Sequence, residues 1–281
     1  MAGFGAGCGT LGVCGRGGGA MERCVLNVVR YLMVWGLVIS LMLLLMVAFL
    51  PASWALGWYG ERLPGLRLQQ VSGTVWKGQA GQVLTRAGFP LGGLRWQLSP
   101  SILLGRADLH WQLNGPRITA SGQLQREADA RLVIDHVRLR STPAALAQWF
   151  GLPVMPVAGQ WYLDISHAVV WHGWPMTLEA QLAWRDAGVT ASGQKLALGN
   201  LLLHARSQQG VMTAELEDDG GGPLHVHGQG RLHPLGWSFQ VDAAAGAHQP
   251  ALAAWLAGFG VPDEHGMVDI RRSGGMLDNL Q

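Results

Sequence analysis

From Tyr31 to Leu50 every residue is apolar or glycine except Ser40 and the ring hydroxyl of Tyr31. At about 1.5 Å per residue in a helix, this run covers about 30 Å, the thickness of a bilayer's hydrocarbon core. The sequence therefore predicts a transmembrane helix over residues 31–50. Arg23 and Arg30 precede the run, while Pro51, Ser53 and Trp54 follow it. Positive charge stays on the cytoplasmic side. Residues 1–30 then form a short cytoplasmic tail, and everything after about residue 51 lies outside. Trp54, Trp58 and Tyr59 fall where an interfacial aromatic belt belongs. A cleaved signal peptide is the rival reading. It needs an apolar core of only about 7–15 residues and a small-x-small cleavage site. This run is longer and Pro51-Ala52-Ser53-Trp54 is a poor site, so an uncleaved anchor is expected.

Residues 1–20 are glycine-rich without periodicity. Met21-Glu22-Arg23 would supply a conventional short basic segment before the span, so the stretch ahead of it reads as a disordered tail or a misassigned start. All three cysteines (Cys8, Cys14, Cys24) precede the span, so no disulfide braces the remainder. Charged residues make up 14% of the chain, against about 25% in ordinary globular domains. A net charge of +2, with arginines scattered through strand-like segments, excludes a basic nucleic-acid face.

After a juxtamembrane linker over 51–66, residues 67–281 read as β structure. Leu109–Leu113 alternates, meets Asn114-Gly115-Pro116, and resumes at Ile118. Leu178–Trp184 alternates, meets Asp186-Ala187-Gly188, and resumes at Val189. Both are read as hairpins, and Arg131–Leu139 as another strand. Two short helices interrupt the strands. Pro143–Phe150 follows Thr142, with proline at its first position and Gly151 at its end. Pro250–Leu256 repeats the design. Asp135 precedes Pro143 by the same number of residues as Asp242 precedes Pro250, Trp149 matches Trp255, and Gly122-Gln123 is echoed by Gly228-Gln229. These echoes point to an internal duplication, with repeats over 107–165 and 213–270. Two modules side by side, with the helices closing the ends, would bury an apolar sheet face.

Catalytic signatures are sparse. His225 and His227 share a strand face, and His233 lies nearby, but the pattern fits exposed strand histidines better than a metal site. Glu215, Glu217, Asp218 and Asp219 before Gly220 read as a solvated hairpin loop. No G-x-S-x-G elbow is present. Ser121 and Ser192, both in Thr-Ala-Ser-Gly-Gln, read as strand termini. Gly17-Gly18-Gly19 lacks the strand, helix and lysine of a P-loop. No catalytic, cofactor or metal residue is assigned, and the chain is read as not being an enzyme. Trp76, Trp96, Trp111, Trp161, Trp171, Trp174, Trp184 and Trp237 stand in strand-like contexts. They are expected to pack a core, the alternative being an aromatic groove for an acyl chain or a partner's strand.

One run is more specific than this texture. Leu50-Pro51-Ala52-Ser53-Trp54 is followed by Val71-Ser72-Gly73-Thr74-Val75-Trp76-Lys77-Gly78, then by Leu94-Arg95-Trp96-Gln97-Leu98-Ser99-Pro100 and Leu103-Leu104-Gly105. It resembles the type II secretion system protein N family, over roughly Leu50–Ile270. Ser72, Gly73, Thr74, Trp76, Gly78, Trp96 and Trp111 are the candidate motif and packing residues. The resemblance implies an accessory single-pass subunit of the bacterial inner membrane, with a periplasmic C-terminal domain. Its partners would be other secretion-system membrane subunits and the outer-membrane secretin, with no cofactor and no nucleic acid. The texture is also similar to AsmA-like proteins, which implies the alternative of a groove that binds or transfers lipid; a generic periplasmic adaptor is a third reading. The expected fold is mainly β: a transmembrane helix, then a twisted, partly open antiparallel sheet with two short helices.

Overall fold

The computed structural model describes residues 18–54, 66–85, 88–127, 129, 131–150, 156–191 and 193–275. Two compact units divide the chain, Met1–Phe49 and Leu50–Gln281. The first contains helix α1, Gly18–Ala48, of 31 residues. Helix therefore begins inside the stretch expected to be a tail, whose first seventeen residues, with Cys8 and Cys14, lie outside the described residues. The side chains described from Met33 to Val47 are mostly large, apolar and exposed. Among the described residues no helix is long and apolar enough to cross a membrane.

Among the described residues the second unit holds a single antiparallel sheet of 13 strands in which every strand pairs with its neighbours in the chain. In order these are β1 (Leu66–Gly73), β2 (Lys77–Thr85), β3 (Pro90–Leu98), β4 (Ala107–Asn114), β5 (Ile118–Arg126), β6 (Leu132–Ser141) and β7 (Val157–Trp171). They continue as β8 (Trp174–Ala191), β9 (Gln194–Gln208), β10 (Val211–Asp218), β11 (Leu224–His233), β12 (Gly236–Ala245) and β13 (Met267–Gly275). Helix α2, Pro143–Phe150, follows β6, and α3, Pro250–Leu256, follows β12. Thr142 starts α2 as read from the sequence: its hydroxyl oxygen accepts the Ala145 N–H at 3.3 Å. The element order β4-β5-β6-α2-β7 recurs as β10-β11-β12-α3-β13, with β8 and β9 between.

Register makes the sheet amphipathic across its whole width. Residues opposite one another in an antiparallel sheet share a face, so a row can be followed from strand to strand. One row starts at Val71 and passes through Ala80, Leu94, Leu113, Ala120 and Leu139 on β2–β6. It continues through Leu163, Leu182, Leu203, Leu216, Gly228 and Val241 to Ile270. No member is polar. The next residues along the strands point to the other face. Their row runs through Ser72, Gln79, Arg95, Gln112, Ser121 and Arg138. It continues through Asp164, Gln181, His204, Glu215, Gln229 and Gln240 to Arg271. Every member is polar.

The apolar face is packed in two places. Val83, Leu91, Leu113, Ile118 and Ala120 form one cluster, with Leu146 of α2 against it. Leu198, Leu224, Val226, Ala243 and Val268 form the other with Leu252 and Leu256 of α3. Leu163, Leu182 and Leu203 lie on strands between and fall in neither.

Several expectations are corrected. Asp186-Ala187-Gly188 makes no hairpin, because β8 runs straight through it from Trp174 to Ala191. The left-handed Asp186, at φ 51°, forms a bulge where the register shifts between Trp184 and Ala187. Asn200 Oδ1 takes the freed Asp186 N–H at 3.0 Å, so the turn-like residues kink a strand instead of ending it. Ser121 sits within β5, not at its end, and Ser192 lies outside the described residues. Glu215, Glu217 and Asp218 belong to β10 rather than a loop, since β10 pairs through Asp218 with Leu201. Pro51 bridges to Thr74 and Ala52 is buried, while residues 55–65 lie outside the described residues.

Candidate functional site

The candidate motif residues converge at the first hairpin. Ser72 and Gly73 end β1, Gly78 stands near the start of β2, and Thr74 to Trp76 make the turn between. Trp76 is therefore a half-buried turn residue rather than a strand residue, and its carbonyl accepts the Leu98 N–H at 2.7 Å. Thr74 staples the turn: its N–H donates to the Lys77 carbonyl at 2.9 Å, and its hydroxyl oxygen accepts the Lys77 N–H at 3.1 Å. Gly73 has φ +91°, and a Cβ there would stand 2.6 Å from the Lys77 carbonyl oxygen. Only glycine fits without strain.

From this turn a row of glycine and tryptophan crosses five strands. Gly73 pairs with Gly78, Gly78 with Trp96, Trp96 with Trp111, and Trp111 with Gly122. The Trp96 ring lies over Gly78, where a Cβ would come within 2.3 Å of its Cζ2. Its indole N–H donates to the Val75 carbonyl at 3.1 Å, tying β3 to the turn. Of the other tryptophans, Trp161 and Trp184 meet edge to face at 6.0 Å. Trp171 and Trp237 are exposed, so the tryptophans do not all pack a core.

On the opposite face from the Trp96 and Trp111 rings lies a groove of about 950 Å³. Its walls are Lys77, Gln79, Arg95, Gln97, His110 and His136, with the glycine–tryptophan strands as its floor. His136 is the extra residue of a bulge in β6, at φ 52°, where β5 and β6 shift register. A second hollow of about 550 Å³ adjoins it and shares Gln112 and Ser121. Among the described residues no carboxylate lines the first groove. Asp108, next to His110 at 3.6 Å, is engaged by Gln123 at 3.1 Å. Asp135 is held by His167 at 2.7 Å.

The structure thus places Ser72, Gly73, Gly78, Trp96 and Trp111 around one groove, with Thr74 and Trp76 in the turn at its end. Lys77, Arg95, His110 and His136 were not singled out by sequence reasoning. Their only signal was polar residues alternating with Gly and Trp on successive strands. His225 and His227 are exposed, His225 with Asp218 at 3.4 Å. Among the described residues no three metal-ligating side chains converge.

Residues 64–271 match the family model described as type II secretion system, protein N. The type II secretion system protein N of Vibrio cholerae serotype O1 is 34% identical, over 64% of this chain and 72% of its own. The protein of the same name from Aeromonas hydrophila is 28% identical, over 74% of this chain and 84% of its own. No solved structure matches.

Proposed function

The chain belongs to the type II secretion system protein N family, and from that premise we propose that it is an accessory subunit that docks and bridges components of the secretion machine. It sits in the bacterial inner membrane through residues 31–50, with its sheet in the periplasm. The partners are other membrane subunits of the machine and the outer-membrane secretin. No reaction is assigned to it. The anchor reading is supported by the apolar run to Leu50 and by Arg23 and Arg30 before it.

The observation that carries the docking role is the polar face. A side chain able to form hydrogen bonds stands on every strand of the sheet, from Ser72 to Arg271. Such a surface is already solvated and suits a partner that docks through polar contacts. The unbroken apolar row favours a second reading, the lipid-binding groove. Leu163, Leu182 and Leu203 would touch such a ligand first, since neither helix cluster includes them.

Photo-crosslinking residues placed one at a time in living cells separate the two. Crosslinks from Gln181 and Gln229 to secretion subunits are the expected result. Phospholipid captured at Leu163 and Leu182, with no protein captured on the polar face, would overturn docking in favour of lipid handling.

A further inference from the structure

The groove beside the first hairpin has a charge and a position that together specify a ligand. On other strands two arginines are neutralised: Arg138 pairs with Asp164 at 3.4 Å, and Arg271 with Asp269 at 2.7 Å. Lys77 and Arg95 project into the groove with no ion-pair partner among the described residues. They stand on paired strands, two residues apart in register, about 8 Å from one another by sheet spacing. That separation lets one anion, or the two ends of one small ligand, meet both.

The same hairpin is tied to the end of the apolar run. The Leu50 carbonyl accepts the Val75 N–H at 3.0 Å, Pro51 bridges to Thr74, and Ala52 is buried at 2% exposure. Lys77 follows two residues after Val75. Trp54 is 68% exposed, as suits an interfacial indole. If residues 31–50 span the membrane, as the proposed function holds, the hairpin that carries Lys77 is hydrogen-bonded to the residue where the chain leaves it.

We propose that this groove binds the phosphate-bearing headgroup of an anionic phospholipid, with Lys77 and Arg95 as its phosphate ligands. Arg95 offers the planar fork that suits phosphate oxygens, and Lys77 a compact point charge. The amides of Gln79, Gln97 and Gln112 supply donors and acceptors for glycerol hydroxyls and ester oxygens. An acidic protein segment would use the same two cations, but the hairpin's tie to Leu50 and Pro51, the proposed membrane exit, favours a lipid.

The test uses the full chain, purified in mild detergent and exposed to phosphatidylglycerol or phosphatidylcholine before native mass spectrometry. Wild type is expected to retain one phosphatidylglycerol, and K77Q/R95Q to bind it about thirty-fold more weakly, since each basic residue near an anionic surface counts for about 1 kcal/mol. K77R/R95K, which keeps both charges, should restore most of the binding, and this separates charge loss from misfolding. Equal retention by K77Q/R95Q, equal retention of phosphatidylcholine, or displacement by inorganic phosphate would each overturn the proposal. So would binding of an acidic peptide that excludes the lipid. Carbonate extraction of wild-type membranes tests the premise separately. Release of the chain would overturn the anchored reading itself, whereas an inserted chain with charge-independent lipid retention overturns only the headgroup site.

Discussion

Trp96 and Trp161 make opposite use of the same indole. The Trp96 N–H donates to the Val75 carbonyl at 3.1 Å. The Trp161 N–H is buried and has no partner among the described residues. A lost hydrogen bond between neutral groups costs about 1 kcal/mol, while removing an unsatisfied donor costs nothing. Trp96→Phe is therefore expected to lower the denaturation midpoint of the purified chain, and Trp161→Phe to leave it unchanged or raise it. Equal losses would show that ring volume, not the N–H, decides both sites. Gly78→Ala drives a methyl into the Trp96 ring and should cost about 1–3 kcal/mol as overpacking. At this scale the sequence displayed the Ser72–Gly78 motif but not the charges of its groove. Lys77 and Arg95 are neighbours only through the β2–β3 register, which is fixed by pairing and written in neither strand alone.

Among the elements, the helices were legible and one hairpin was misread, for the same physical reason. Proline at a first helical position after Thr142 permits little else. Asp-x-Gly permits left-handed backbone, which serves a strand bulge as well as a turn. Asn200 settles the choice in β8: it accepts the Asp186 N–H and donates to Asp219 Oδ2 at 2.7 Å, joining the bulge to the end of β10. Beside it, Asp218 caps the β10–β11 connection. Burial opposes its ionisation, but the N–H groups of Val226 and Gly220, with His225, outweigh it and hold the carboxyl below its ordinary 3.8. A depressed folded value means that the contribution is complete above the unfolded value and is lost as pH falls through the folded one. Asp218→Ala should thus lower the midpoint at neutral pH, by an amount that shrinks as pH drops below about 4. A difference independent of pH would mean that the charge contributes nothing. In α3, Leu252→Ala empties a fully buried site and should cost about 2–5 kcal/mol.

For the whole molecule, the alternation read at Leu109–Leu113 and Leu178–Trp184 is enough to give a strand two unlike faces. It did not foretell that both matching sets of elements join one sheet through β8 and β9, because alternation fixes a face and not a partner. The two packed clusters sit at opposite ends of the strand order. A chain ending after β9 should keep slow amide exchange in β2–β5, where Leu113 and Ile118 are buried, while losing the cluster under α3. Collapse of protection throughout would show that the clusters stabilise one another.

That each strand pairs only with its neighbours in the chain also bears on how the sheet is made. Among the described residues no strand waits for a distant partner, so each ring of closure is a short one and its entropy cost stays small. Assembly can advance like a zip from β1, whose hairpin is already fastened to Leu50. A chain delivered gradually from its N-terminal end can fold in the order in which it arrives, with only the newest strand left exposed along the growing edge.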